Sequence, residues 1–459
     1  RKRFNINSTY KSKKIEGLSY GVNANLLSQS SGSTIIWNGL DQAYIPLDES
    51  ITRTSGDTYN IDPFITYIKG NNRHSLRTRY LSVTNNNLTD GLDVGQNNSA
   101  NNYYSDYQWQ KNIEEYKLRI TSGTTNEKVN ANSDLFSGKN YKITNSLYTQ
   151  LDKKWNRFNI SLGARYESFR LHSEDKYFID GDSINDISAE KPVFRTGLNY
   201  QVAEATYVRA SWGQGYRFPS MAELFISTNQ SGLEIYPNPE LKPESGWNYE
   251  IGSRGQLFKN TVYFDIAIYR MNVKNLLVAR RTNNDEYMGV NAGKTQYNGL
   301  EFTLKNTFIK TKNITLFGFH SFAFNDFKFK KFIDDSNDYS NNLLTGVPKL
   351  TYNATIGLES LNGFYTSVNY SFVGEIPLRD NNSVYSDEYQ IINTQFGYQS
   401  NTNNNFQYNF LVGINNLTNS KYASMLLINA GSFGGNKPRY YYPGNPVNYY
   451  TSLKLKYLF

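Results

Sequence analysis

The sequence predicts an all-β chain, a transmembrane antiparallel β-barrel with about 19 strands present of a 22-stranded whole. Three observations carry this. Apolar and polar residues alternate along most of the chain, as in strands with one dry and one wet face. No apolar run reaches the roughly 18 residues of a membrane helix, yet 15% of the residues are aromatic, with 38 Tyr and 27 Phe. In so hydrophilic a chain, that aromatic excess fits strands whose rings gather at membrane–water interfaces. Short polar turns alternate with long polar loops, the asymmetry of bacterial outer-membrane barrels.

The elements follow in order as hairpins. Lys2–Lys11 and Gly17–Gln29 pair across SKKIE, and a long loop with Trp37 and DQAYIPLDES follows. Tyr59–Ile68 and Ser75–Val83 pair across KGNNRH, and TNNNLTDGLDVGQNNSANN reads as an Asn-rich loop. Tyr103–Trp109 and Tyr116–Ser122 come next, then Tyr141–Leu151 and Phe158–Glu167 across DKKWNR. In the last of these, Phe158, Ile160, Leu162, Ala164 and Tyr166 make a lipid face against Asn159, Ser161, Gly163, Arg165 and Glu167. Val193–Val202 and Thr206–Tyr216 pair across AEA, before a long loop carrying NPELKPE. Trp247–Leu257 and Val262–Met271 pair across FKNT. Gln296–Thr307, Ile314–Phe327, Thr351–Leu358, Phe364–Phe372, Glu388–Tyr398 and Phe406–Asn415 lead to the closing strand VNYYTSLKLKYLF.

That closing strand fixes direction. Its C-terminus sits at the short-turn side, so it descends, and counting back the first strand descends too. Bacterial barrels have even strand numbers, so an odd count implies leading strands before Arg1; a 22-stranded barrel would lack three. The 459 residues are then one barrel domain, with an N-terminal plug and first strands expected upstream. A β-sandwich or propeller fits less well, because loops are as long as strands and no blade-length repeat appears.

Composition excludes several chemistries. There are no cysteines, hence no disulfides and no thiolate sites. The net charge is +8, but Lys and Arg are scattered without a basic run, so nucleic acid is not an expected partner. The three histidines, His74, His172 and His320, are read in a turn, a long loop and a strand, far apart in sequence. No metalloprotease, nucleophile-elbow, P-loop or dinucleotide motif is present, so neither an enzyme, a cofactor nor a metal site is expected.

The segment SWGQGYRFPSMAELF, residues 211–225, resembles the corner of TonB-dependent outer-membrane receptors, where an ascending strand ends and an extracellular loop begins. NPELKPE, residues 238–244, is similar to the matching box that returns the chain to the sheet. NAGKTQYNGLEF, LTGVPK, VGINNLTNSKY and the Phe-terminated last strand resemble further landmarks, in family order. In this corner Gly213 and Gly215 are expected to let the strand twist, and Pro219 to stiffen its exit. Pro239 and Pro243 disfavour helix at Asn238 and Lys242, and Glu244 can pair with a neighbouring Lys or Arg. Phe459 reads as an assembly signal.

The resemblance implies an outer-membrane receptor of a Gram-negative bacterium that binds a scarce nutrient and imports it with TonB-derived energy through a plug. An iron–siderophore complex leads; haem, cobalamin and glycans stay open, haem disfavoured because no histidine lies between Pro219 and Asn238. Partners implied are TonB, outer-membrane lipid and lipopolysaccharide, the small-molecule ligand, and in some relatives a surface lipoprotein. The alternative is a passive porin or protein-conducting barrel. Arginine forks suit anionic oxygens and aromatic rings suit catecholate or sugar faces. The candidate contacts are therefore Trp37, Tyr44, Arg217, Tyr236, Arg280, Arg281, Arg379, Arg439, Tyr440 and Tyr441, all in or near outer loops.

Overall fold

The computed structural model describes all residues except 35–36, 40–41, 43, 180–181, 231–232, 260, 282–285, 335–336, 401–404, 432–436 and 458–459, and except the side chains of 137, 175, 177–179, 182, 184, 229–230, 233, 281 and 334. Among the described residues the main sheet has 22 strands. Three are short loop segments, Leu92–Asp93, Thr228–Gln230 and Leu233–Tyr236. The other nineteen are long. They are β1 (Lys2–Lys11), β2 (Leu18–Thr34), β3 (Ile51–Lys69), β4 (Asn72–Thr89), β5 (Asn98–Ile113), β6 (Leu118–Ser133), β7 (Phe136–Trp155), β8 (Phe158–Ile179), β9 (Asp182–Ala203) and β10 (Thr206–Arg217). Then come β11 (Glu244–Leu257), β12 (Val262–Arg281), β13 (Tyr287–Lys310), β14 (Ile314–Lys331), β15 (Leu350–Ser360), β16 (Phe364–Val373), β17 (Tyr389–Gln399), β18 (Phe406–Asn415) and β19 (Asn448–Tyr457). The expected count is met.

By compactness the chain divides into two units. The first is Arg1–Leu198 with Trp212–Ser245 and Leu277–Asn291; the second is Asn199–Ser211 with Gly246–Leu276 and Ala292–Phe459. In the first, β1 to β8 form an uninterrupted antiparallel meander. In the second, β13 to β19 do the same. The closing strand pairs with β18 over ten residues, from Phe406 opposite Tyr457 to Asn415 opposite Asn448.

Alternation sets the two faces. On β7 and β8, Leu147 is 66% exposed and Leu162 50%, although both are apolar. A row of bare leucine, isoleucine and aromatic side chains on one face is what lipid covers. Rings bound that row in the first unit: Tyr67, His74 and Tyr107 stack at one level, and Tyr59, Tyr80 and Tyr103 meet at tilted angles at another. Tyr59 and Tyr67 lie eight residues apart on β3, roughly 27 Å of strand. At the tilt usual for outer-membrane strands this is about 20 Å of membrane depth, close to the apolar band of such proteins.

The opposite face is polar and tightly joined. Rings there lie over glycines of the neighbouring strand. A Cβ built at Gly397 would sit 2.2 Å from the Tyr365 ring, and Gly413 stands in the same relation to Tyr450. The turns pack as closely. Gly17 has φ +78°, and a Cβ there would lie 1.8 Å from the Ile68 carbonyl oxygen. Only glycine fits both that conformation and that approach.

The structure lengthens the expected strands. β4 runs to Thr89 and β5 begins at Asn98, so most of the expected Asn-rich loop is strand. Side-chain bonds between strands hold it: Thr54 to Asn87 at 2.6 Å, Asn85 to Asn98 at 3.0 Å and Thr52 with Thr89 at 3.0 Å. Such ladders stabilise a sheet without an apolar face. Conversely, Tyr116 stands in a turn, since β6 begins at Leu118. His74 and His172 lie in β4 and β8, where they were expected in a turn and a loop; both carry ring stacks with neighbouring tyrosines that a strand face supports.

Candidate functional site

The corner after β10 is a charge-centred clamp in the first unit. Arg217 ends the strand. Its Nη1 donates to both carboxylate oxygens of Glu223, at 2.9 and 2.8 Å, and its Nε donates to Glu244 Oε2 at 2.8 Å. Glu223 reaches this position through a five-residue helix, Met221–Phe225, which the sequence reading did not include. A capping box forms that helix: the Glu223 amide donates to Ser220 Oγ and the Ser220 amide to Glu223 Oε2. Glu244 also accepts the Leu277 amide at 2.7 Å. Burial by itself would raise the Glu223 pKa, but the Ser220 amide and the Arg217 guanidinium outweigh it and hold the carboxyl below its usual value. Glu244 foremost, with Glu223, pushes Arg217 above its usual value against partial burial.

Packing completes the clamp. Phe218 stacks on Phe169 at 4.3 Å and 9°, and Leu224, Phe225 and Leu241 are buried beside Leu171. Pro219 is buried at the exit. Asn238 donates from its amide to the Gly289 carbonyl at 2.8 Å and accepts the Glu240 amide, while Lys242 and Asn291 bond reciprocally. Gly213 and Gly215 do not have the left-handed φ that would make glycine obligatory, and a Cβ at Gly215 would meet nothing, so the expected twist at that residue has no steric basis.

Beneath the corner is an open cleft of about 760 Å³ on the polar face of β6 to β10. Its walls carry Lys142, Arg165, Glu167, Arg195 and Tyr216. Arg165 grips Glu167 at 2.6 Å and Lys142 pairs with Glu127 at 3.2 Å. Arg195 differs. Its stem crosses Gly163, where a Cβ would come within 2.9 Å of Arg195 Cγ, and passes Gly213. The side chain is exposed, and among the described residues its guanidinium has neither an ion pair nor a hydrogen bond. Sequence reasoning missed Arg195 because it looked for ligand contacts in loops.

In the second unit, three loops are tied together. Leu378 is fully buried among Ile376, Ala430 and Tyr440. Asp380 accepts from the Asn429 side chain at 3.0 Å and from the Thr345 hydroxyl, and its carbonyl accepts from Asn342 at 2.8 Å. Asn382 exchanges two bonds with the Leu343 backbone. Arg379 stands beside this knot. Its Nε donates to the Tyr440 hydroxyl at 2.7 Å, and its guanidinium lies 5.9 Å from the Tyr440 ring centre. Tyr441 packs edge-on against Tyr440.

The candidates therefore separate. Arg379, Tyr440 and Tyr441 come together, and Arg439 is half-buried in the same segment. Arg217 is engaged by carboxylates. Trp37 is buried and bridges Pro46, whereas Tyr44 is 64% exposed. Tyr236 donates to Glu234 at 3.0 Å, on a segment that adds in parallel to the start of β13. Arg280 lies at the outer end of β12. The Arg281 side chain and Phe459 lie outside the described residues. Among the described residues no cluster of acidic and histidine side chains could hold a metal ion.

Residues 2–417 match the family described as TonB dependent receptor-like, beta-barrel. The vitamin B12 transporter BtuB of Vibrio vulnificus is 38% identical over 82 residues, a stretch covering 18% of this chain and 11% of that protein. Solved structures match the fold across almost the whole chain. The FrpB iron transporter of Neisseria meningitidis gives a TM-score of 0.73 at 13% identity, covering 99% of this chain and 72% of that one. The ferric-catecholate import receptor Fiu of Escherichia coli K12 gives 0.70 at 12%, covering 99% and 74%. The ferric yersiniabactin receptor FyuA of Yersinia pestis gives 0.69 at 16%, covering 100% and 70%.

Proposed function

This chain belongs to the TonB-dependent receptor family, as an outer-membrane antiparallel β-barrel, and on that premise we propose that it captures an iron–siderophore complex at its outer loops for TonB-driven import. The observation that supports this reading is the Arg379–Tyr440–Tyr441 group. It joins a half-buried cation to the exposed Tyr441 ring, with the buried Tyr440 between them, on loops already fastened to one another. Fastened loops lose little entropy on binding. A guanidinium over an aromatic face suits an anionic, oxygen-rich chelate bearing its own rings. Arg195, free on the polar face of the first unit, is a second cation for such a ligand or for a plug.

The same proposal includes the other partners. Energy coupling needs TonB and a plug, and a surface lipoprotein remains an added component of the reading. Contact with lipopolysaccharide is supported by the outward face at the tyrosine row, where Lys128 stands opposite Tyr103 and lies 5.6 Å from the Tyr141 ring centre. The test is growth under iron limitation on defined siderophores, comparing wild type, a deletion, Arg379→Ala and Tyr441→Ala. The reading expects at least one iron source to be lost on deletion, and used roughly tenfold less well by either variant, the scale of one charge-assisted hydrogen bond. Equal growth on every source would remove iron and turn the question to cobalamin or glycans.

A further inference from the structure

The nine segments joining strands at the short-turn end cover residues 11–17, 69–73, 111–119, 152–157, 203–206, 257–261, 310–313, 359–363 and 399–406. They hold fourteen Lys and Arg against six Asp and Glu. Their net charge equals the +8 of the whole chain, so the remaining sequence is balanced. The excess is also unevenly placed. The first four segments, all in the first compact unit, hold eleven of the cations and four of the anions. Among the described residues none of these eleven cations forms an ion pair with a carboxylate. A scattered basic sequence thus becomes a basic arc once the strands are paired.

Part of the arc faces outward. Lys69 and Lys111 flank Asn72 in one row of the sheet, because Asn72 is the register partner of both. Adjacent strands lie about 4.8 Å apart, which sets the two stems roughly 10 Å from each other. Trp109 donates from its ring to the Asn72 side chain at 3.2 Å, which places this row on the same face as the ring layer of Tyr67, His74 and Tyr107. Two strands further on, Lys153 has its ammonium 5.8 Å from the Tyr116 ring centre, with Trp155 stacked on Phe158 beside it. Each lysine stands at the polar edge of the apolar band, on the side of the short turns.

We propose that this arc, centred on Lys69, Lys111 and Lys153, binds the anionic headgroups of phospholipids in the periplasmic leaflet. The inference rests on family membership, which fixes the short turns as periplasmic, and not on which nutrient is carried. The occupant follows from position. Lysines beside interfacial rings on a lipid-facing strand extend to phosphate level, with stems on the apolar face and ammonium groups in the headgroup layer. Two stems about 10 Å apart over an aromatic floor suit neighbouring phosphates, on two lipids or on one lipid carrying both.

The experiment reconstitutes the full-length protein in nanodiscs of zwitterionic lipid with a minor fraction of phosphatidylglycerol or of a diphosphate lipid, and counts retained lipids by native mass spectrometry. Wild type is expected to retain anionic lipid above its bulk fraction, less so at high salt. Lys69→Gln, Lys111→Gln and Lys153→Gln should each weaken retention roughly fivefold, and together about a hundredfold, while Lys454→Gln on the polar face of β19 changes nothing. Retention at the bulk fraction in wild type, or equal enrichment in the triple variant, would overturn the proposal. Iron uptake is not read in this assay, so its outcome is independent of the transport reading. Folding of the triple variant is verified by a heat-induced change in electrophoretic mobility equal to that of wild type.

Discussion

Replacing Arg217 with alanine separates a clamp from a ligand contact. The change leaves the Glu223 and Glu244 carboxylates without their shared cation. Breaking a buried ion pair costs about 3–5 kcal/mol, and an exposed one about 0–1 kcal/mol. Here the Glu244 side chain is 15% exposed and that of Arg217 47%, which puts this network between the two cases. The expected cost is about 2 kcal/mol, felt locally, or roughly thirtyfold in the opening equilibrium. The assay is amide hydrogen exchange on the protein in detergent. Glu223, Leu224 and Leu277, whose amides are bonded to Ser220 Oγ, the Ser220 carbonyl and Glu244 Oε1, should lose that much protection. The amides of β3 and β4, which have no part in the clamp, should not change. Arg217→Lys should recover only part, since one ammonium cannot reproduce the two-sided guanidinium fork. If protection changes less than about threefold while ligand uptake falls, the clamp reasoning is wrong and Arg217 touches the ligand.

Three further outcomes are expected. Gly397→Val drives a side chain into the Tyr365 ring and breaks its 2.8 Å bond to Asn409. It should cost about 1–3 kcal/mol in urea unfolding, with less than additive cost when combined with Tyr365→Ala. Leu453→Arg puts a charge on the lipid face of β19, where Leu453 is 63% exposed. It should cost about 2–4 kcal/mol near mid-membrane, whereas Lys454→Gln on the opposite face should cost under about 0.5 kcal/mol. The Arg170 hydrogen bond, with His172 and against slight burial, holds the Asp186 carboxyl below its usual value. A lowered carboxyl pKa stabilises the folded hairpin at every pH above the unfolded value near 3.9, and that contribution is lost as pH falls through the lower folded value. Exchange around Phe169 to Ser173, corrected for intrinsic rate, should therefore match at pH 7 and 5 and rise only below about pH 4.

The membrane-crossing parts of the fold were legible because lipid demands a dry face, and period-two alternation records that demand directly. The extensions of β4, β5 and their neighbours were not legible. Above the bilayer they are held by Thr–Asn ladders, whose composition resembles a loop. At the corner, Arg217, Pro219, Asn238 and Glu244 stood out in sequence, but the helix that supplies Glu223 is too short to show a period. Arg379 and Tyr440 are 61 residues apart, and their loops meet through the bonds of Asn429 to Leu378 and Asp380, which no local pattern announces. Arg195 gave no signal, because its setting comes from glycines on the two flanking strands. The basic arc is likewise a product of pairing, invisible as a run of charge.

The most direct test of the transport reading is uptake of radioactive iron, as the siderophore identified by growth, into cells carrying the full-length gene, with and without a protonophore. Uptake should require the gene, stop when the proton-motive force collapses, and weaken in Arg379→Ala. Uptake that requires the gene but continues unchanged after collapse would contradict it and make the barrel a passive pore.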